Sequence, residues 1–119
     1  MNEVKNVLVD RSYKFSLLVI SLCSKITQNL SERVIFNQLL RSSTSIGANI
    51  VEAKSASSRR EYKKYYEIAL KSANETSYWL SLLRDTSKLD KTKIERLIGE
   101  VDELCRMLGK AVITLKKNL

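Results

Sequence analysis

The chain has 119 residues, with 21 lysines and arginines against 13 acids, which leaves a formal charge of +8 and a pI near 9.6. That is the length of one ordinary domain able to bury a modest core alone, and the cationic excess favours acidic partners, of which nucleic acid is the commonest. There is no proline, no histidine and only three glycines, a composition with few helix breakers that favours long helices over short strands and excludes any histidine-dependent chemistry.

The first helix is predicted over 6–28. Leu8, Ser12, Phe15, Val19, Leu22 and Ile26 recur at three- and four-residue steps and form its core-facing stripe. Tyr13, Leu17 and Ile20 add a second apolar edge, more than one bundle core requires, so this helix is either central or covered by another subunit. The apolar run from Phe15 to Cys23 has nine residues, too few to span a bilayer, and Glu3 and Asp10 before it argue against an export signal. It reads as a core helix of a cytoplasmic protein.

The second helix is predicted over 31–55, with Ser31 as N-cap and Leu30 stapled to Ile35. Ile35, Leu39, Ser43, Ile46, Ile50 and Ala53 share one face, and Gln38, Ser42, Ser45 and Asn49 run beside them. Small and polar groups along an apolar face point to close helix contact with internal hydrogen bonds. Leu40, Gly47 and Val51 widen the apolar surface on the other flank. Gly47 costs roughly 1 kcal/mol relative to alanine in a helix interior, and a close backbone contact is the simplest compensation.

The third helix is predicted over 58–87, opened by Ser58 and Glu61 at capping-box spacing. Its core stripe is Tyr62, Tyr66, Ala69, Ala73, Thr76, Leu80 and Leu83, beside a second row of Ile68, Ser72, Glu75, Trp79 and Leu82. The outer face carries Arg60, Lys63, Glu67, Lys71, Asn74 and Tyr78. The fourth helix, 90–118, starts at the N-cap Asp90, with Leu89 stapled to Ile94. Its stripe of Ile94, Leu97, Val101, Leu104, Leu108, Ala111 and Leu115 keeps a regular 3.5-residue spacing. Four such helices joined by short corners make an all-α protein, an antiparallel up-down-up-down four-helix bundle in a single domain over 1–119.

Cys23 and Cys105 lack CxxC spacing and histidine partners, so they hold no zinc and read as small buried hydrophobes in a reducing compartment. No cofactor is expected. Catalysis is not expected either: Ser42, Ser43 and Ser45 have no histidine base, and the glycines form no phosphate-cradling loop. Glu52 and Glu75 could pair as acids, but a polar network of Arg41, Ser45, Asn49, Glu52 and Glu75 accounts for them better, because buried polar groups must find partners.

The densest cationic cluster follows the serine corner: Lys54, Arg59, Arg60, Lys63 and Lys64, with Lys71 further along the third helix. Flexible cations in this arrangement suit phosphate contacts, and Tyr78 offers stacking. No RNA-recognition or helix-turn-helix signature is present, so binding to RNA or DNA would read backbone and shape. The alternative is a protein-interaction scaffold whose basic surface only solubilises it. Self-association is expected from the widened apolar edges, with Ile68, Trp79 and Leu82 as anchors. No membrane or small-molecule partner is expected.

The central stretch QLLRSSTSIGANIVEA, followed by SRREYKKYYEIALKSANE, resembles the four-helix-bundle family encoded by intervening sequences in bacterial 23S ribosomal RNA genes. The same superfamily includes the accessory variability determinant of diversity-generating retroelements. The resemblance rests on Gln38, Leu39, Arg41, Ser45, Ile46, Asn49, Ile50, Glu52, Glu61, Tyr62, Ile68, Ala69, Ser72 and Glu75. It departs at Ala53, where the family pattern has glycine. The resemblance implies a ring-shaped homopentamer, nucleic-acid binding and, from the retroelement relatives, a reverse transcriptase as partner.

Overall fold

The computed structural model describes the backbone of residues 2–25 and 29–117 and the side chains of 7–25 and 29–117. Four helices account for most of it: α1 (Asn2–Cys23), α2 (Leu30–Ala53), α3 (Arg59–Thr86) and α4 (Lys91–Lys117). Each packs on its sequence neighbour, and α1 returns to α4, so the four stand in a closed square. The bundle measures 47 × 22 × 19 Å.

Every seam is antiparallel, as side-chain pairings show. Gly47 lies against Ser12 while Ser43 lies against Ser16. Ser42 meets Thr76 and Ser45 meets Ser72. Ser77 faces Asp102 and Asn74 faces Cys105. The number on one helix rises as its partner's falls. Between α1 and α4, Arg11 makes two 3.0 Å bonds to the Glu100 carboxylate, a half-exposed pair that sets register more than stability.

The predicted stripes of α1 and α3 face inward: Leu8, Phe15 and Val19, and Ala69, Ala73, Leu80 and Leu83, are fully enclosed. Ile26, predicted at the end of the first stripe, and the expected helix ends at 28 and 118 lie outside the described residues. Three local expectations are corrected. The N-cap of α2 is Asn29, not Ser31; its Oδ1 accepts from Ser31 N at 2.8 Å and from Glu32 N at 3.4 Å. Asparagine caps as well as serine, and this start puts Leu30 inside the first turn, 69% exposed, so no staple joins it to Ile35. On α2 the fully buried ring is Phe36, beside a half-buried Ile35. On α4, Val112 is buried and Ala111 only half so. A 3.6-residue helix drifts about 20° per heptad from a 3.5 repeat, enough to exchange adjacent positions by the third heptad.

The other caps form as the sequence suggests. Ser58 Oγ accepts from Glu61 N at 3.1 Å, while the Glu61 carboxylate accepts from the backbone and hydroxyl of Ser57. Asp90 accepts from Thr92 N at 2.9 Å. Buried hydroxyls bond to carbonyls one turn back or across the α2–α3 seam. Among the described residues, no buried side-chain polar atom lacks a partner.

Both cysteines are free, Cys23 buried and Cys105 half-buried. Burial pushes the Cys23 thiol from 9.0 up to about 12. The unfolded chain therefore loses this proton well before the folded one. Stability from Cys23 is intact below pH 9.0 and is lost as pH rises toward about 12. In urea melts at about pH 8 and about pH 10.5, the parent should lose more stability than Cys23→Ala across the same interval; equal losses would contradict the burial effect. The glycines provide a second check. A Cβ on Gly47 would sit 3.1 Å from Ser12 Oγ, whereas one on Gly99 would meet nothing within 4 Å. Gly99→Ala should stabilise by about 0.5–1 kcal/mol, and Gly47→Ala should gain less than that or lose stability.

Candidate nucleic-acid interface

The serine corner brings the C-terminus of α2 to the N-terminus of α3. Lys54 is the C-cap of α2, with ordinary right-handed backbone (φ −61°, ψ −27°). Ala53 is helical and buried, so no glycine-like geometry is needed at the position where the family pattern has glycine. Arg59 and Arg60 open α3, followed by Lys63 and Lys64 one turn on. All are exposed except Lys63, which is half-buried.

Among the described residues, Lys54, Arg59, Arg60, Lys63, Lys64 and Lys71 have no carboxylate within 4.0 Å. Glu61 and Glu67 border the same shallow hollow as Arg60, Lys63 and Lys64, but Glu61 is occupied by Ser57. Cations in the first turn of a helix oppose its macrodipole, which favours anions there. Helix stability thus gives no reason for Arg59 and Arg60, and their field adds to that of the α3 N-terminus. Lys71 lies eleven residues beyond Arg60, about 16 Å along the axis and within about 20° of it round the helix, so the charge extends along one face. Tyr78 continues on the same helix, exposed, its ring 5.1 Å from Trp79 in an edge-on contact.

The antiparallel topology adds two cations that the sequence reading did not select. The last turn of α4 carries Lys116 and Lys117, and Leu115 lines a hollow with Lys54, Arg59 and Tyr62. Residues more than fifty positions apart in sequence thus share one end of the bundle. In the linear sequence, only the pairing of the last helix with the third could have signalled this. Beneath them Tyr62 stacks on Tyr66 at 5.0 Å, and its hydroxyl donates to Tyr66 at 3.2 Å.

The predicted polar network lies further along the α2–α3 seam. Arg41 reaches both Gln38 and Glu75, and Glu75 accepts from the Trp79 indole at 2.8 Å. One turn on, Ser45 and Ser72 bond at 2.9 Å, and Asn49 donates to the Ser45 hydroxyl at 2.9 Å. Glu52 is the exception: it is exposed and lines the α1–α2 groove with Asp10 and Tyr13. The α2 wheel turns it past Asn49, away from α3.

The three expected interface anchors, Ile68, Trp79 and Leu82, are all half-buried. Trp79 packs on the core of its own chain, so it is less free than the sequence suggested. The broader exposed apolar surface is on α1, where Tyr13 is 65% exposed and Leu17, Leu18 and Ile20 about half exposed. The second apolar edge of α1 is therefore uncovered in the single chain. Among the described residues, no group of three or more histidine, cysteine or acidic side chains could hold a metal ion. No helix among them is long and apolar enough to cross a membrane.

Comparison with known proteins fits this architecture. A solved structure from Bacteroides thetaiotaomicron, described as a protein with unknown function from the S23 ribosomal protein family, superposes with a TM-score of 0.84 at 38% identity. The match covers 92% of this chain and 97% of that one. No curated protein matches the chain. The family model for the 23S rRNA-intervening sequence protein matches residues 5–110, nearly the whole length of the four helices, and the chain belongs to that family.

Proposed function

We propose that this chain is a non-enzymatic, cytoplasmic bundle that self-associates and binds nucleic acid through the cationic end formed by α2, α3 and α4. The observation that carries the reading is the set of cations at the serine corner that have no carboxylate partner among the described residues. Arg59 and Arg60 sit there at a helix N-terminus where they do not serve the fold. Lysine and arginine side chains free of internal pairs can neutralise phosphates and release counterions. The stripe from Arg60 to Lys71 follows a backbone and reads no base edges, so RNA and DNA bind with little sequence preference. The names of the family and of its solved relative both refer to the ribosome, which makes ribosomal RNA the first ligand to try.

Self-association rests on the uncovered face of α1. Tyr13 lines a groove against α2 of about 700 Å³ together with Val9, Gly47, Ala48 and Val51, and Leu17 and Ile20 stand exposed further along the same helix. A second copy is the occupant in this reading, and the homopentamer implied by the resemblance is its fullest form. Assembly repeats the cationic end in each copy, so weak contacts add by avidity. A reverse transcriptase partner follows from the retroelement resemblance and belongs to the same reading. The uncovered face also favours the scaffold alternative, in which copies assemble and the basic end only solubilises them.

Two experiments separate these outcomes. Replacing Arg59, Arg60, Lys63 and Lys64 by glutamine should weaken RNA binding roughly ten- to hundredfold at low salt and flatten its salt dependence. Unchanged binding would leave only the scaffold reading. The pair Leu17→Lys and Ile20→Lys should reduce the sedimentation mass to the 13.6 kDa monomer, with helix content retained. Trp79→Ala should cost about 2 kcal/mol of stability, less than a fully buried tryptophan, while disturbing assembly less than the α1 pair does.

A further inference from the structure

At the end of the bundle away from the serine corner, α1 finishes where α4 begins. A groove of about 350 Å³ lies between them. Its floor is Leu18, Leu22 and Leu97, and its rim is Ser21, Lys25, Lys93 and Arg96. Leu18 is 55% exposed, an uncovered apolar surface at the foot of a cationic wall. None of the three rim cations has a carboxylate within 4.0 Å among the described residues.

Lys25 and Lys93 are close enough for their side chains to interact directly. Lys93 holds the Lys25 ammonium below its ordinary value, and Asp90 opposes this only in part. Two ammonium groups beside each other, with an arginine on the next turn and Asp90 offsetting them incompletely, repel in the free protein. The fold relieves this only in part, although exposed lysines have ample freedom to move apart.

We infer that this groove is a phosphate-monoester site, taking a nucleoside 5′-phosphate whose dianion sits among Lys25, Lys93 and Arg96 and whose base lies on the leucine floor. The charge count selects the monoester. Three converging cations answer a double negative charge, whereas an internal phosphodiester carries only one. Ser21 lines the same groove and brings a hydroxyl that can donate to a phosphate oxygen. The apolar floor selects against inorganic phosphate alone, which would leave the leucines exposed. The same chemistry is offered by a free mononucleotide and by the 5′-phosphorylated end of a strand. The site goes beyond the cationic stripe at the serine corner, which tracks a backbone and lies at the opposite end of a 47 Å bundle.

Amide NMR titration of the full chain at fixed ionic strength tests this, with adenosine 5′-monophosphate, adenosine and inorganic phosphate as probes. The mononucleotide should move the Ser21, Lys25, Lys93 and Arg96 amides saturably, more tightly than either fragment. Lys93→Gln and Arg96→Gln should each weaken it about tenfold, the loss of one charge-assisted contact. The variant with glutamine at 59, 60, 63 and 64 should bind it unchanged, so this site and the serine corner fail independently. Free of ligand at low salt, Lys93→Gln should melt no lower than the parent, which shows that the fold is kept. A 5′-phosphorylated oligonucleotide that binds more tightly than its 5′-hydroxyl form, by a similar factor, assigns the strand end; equal binding of the two assigns the free nucleotide. No saturable shifts at the groove, equal shifts with adenosine, or unchanged affinity in Lys93→Gln would overturn the inference.

Discussion

The contact on which the arrangement depends is the hydroxyl pairing between α2 and α3. Ser42 and Thr76 bond at 2.9 Å in full burial, and Ser45 and Ser72 repeat the bond one turn away. Serine, threonine and alanine on the facing stripes let the two backbones approach. Ser42 and Thr76 also bond carbonyls of their own helices. A slip along the seam would therefore leave them paired locally but would forfeit the cross-helix bonds, which form in one register. That register sets where the serine corner closes and which cations open α3. A seam of leucines would bury more apolar surface but would specify alignment less sharply.

Much of the fold was legible because its information is local. The apolar stripes of α1 and α3, the Ser58 and Asp90 caps and the small-residue flank of α2 each arise from spacing within one helix. What was less legible depends on geometry between helices or on cumulative drift. Val112 replaces Ala111 because a straight helix departs from a heptad over three repeats. Asn29 took the cap from Ser31 because either residue suits it and the two stand only about half a helical turn apart. Glu52 looked like a member of the polar network from its place two residues beyond Ile50, yet its direction on the wheel carries it to α1.

The candidate sites show the same division. The cations at the serine corner are contiguous in sequence, so they could be read directly. Lys116 and Lys117 join them, and Lys25 meets Lys93, only because antiparallel packing brings distant segments to one end. Trp79 is a typical interface residue by type, but its indole N–H is satisfied by Glu75 and its ring rests on the core of its own chain. The uncovered apolar residues of α1 were visible as an excess, and the fold shows that no other helix of the chain takes them up.

The charge is also distributed by position along the long axis. One tip carries Arg59, Arg60, Lys116 and Lys117, and the other carries Lys25, Lys93 and Arg96. Two copies approaching tip to tip would therefore oppose like charges whichever way they point. Copies meeting along their flanks would instead bring together the exposed apolar residues of α1. Growth into thin filaments is disfavoured, and a broad, side-by-side cluster with both rims positive is the form this chain tolerates best.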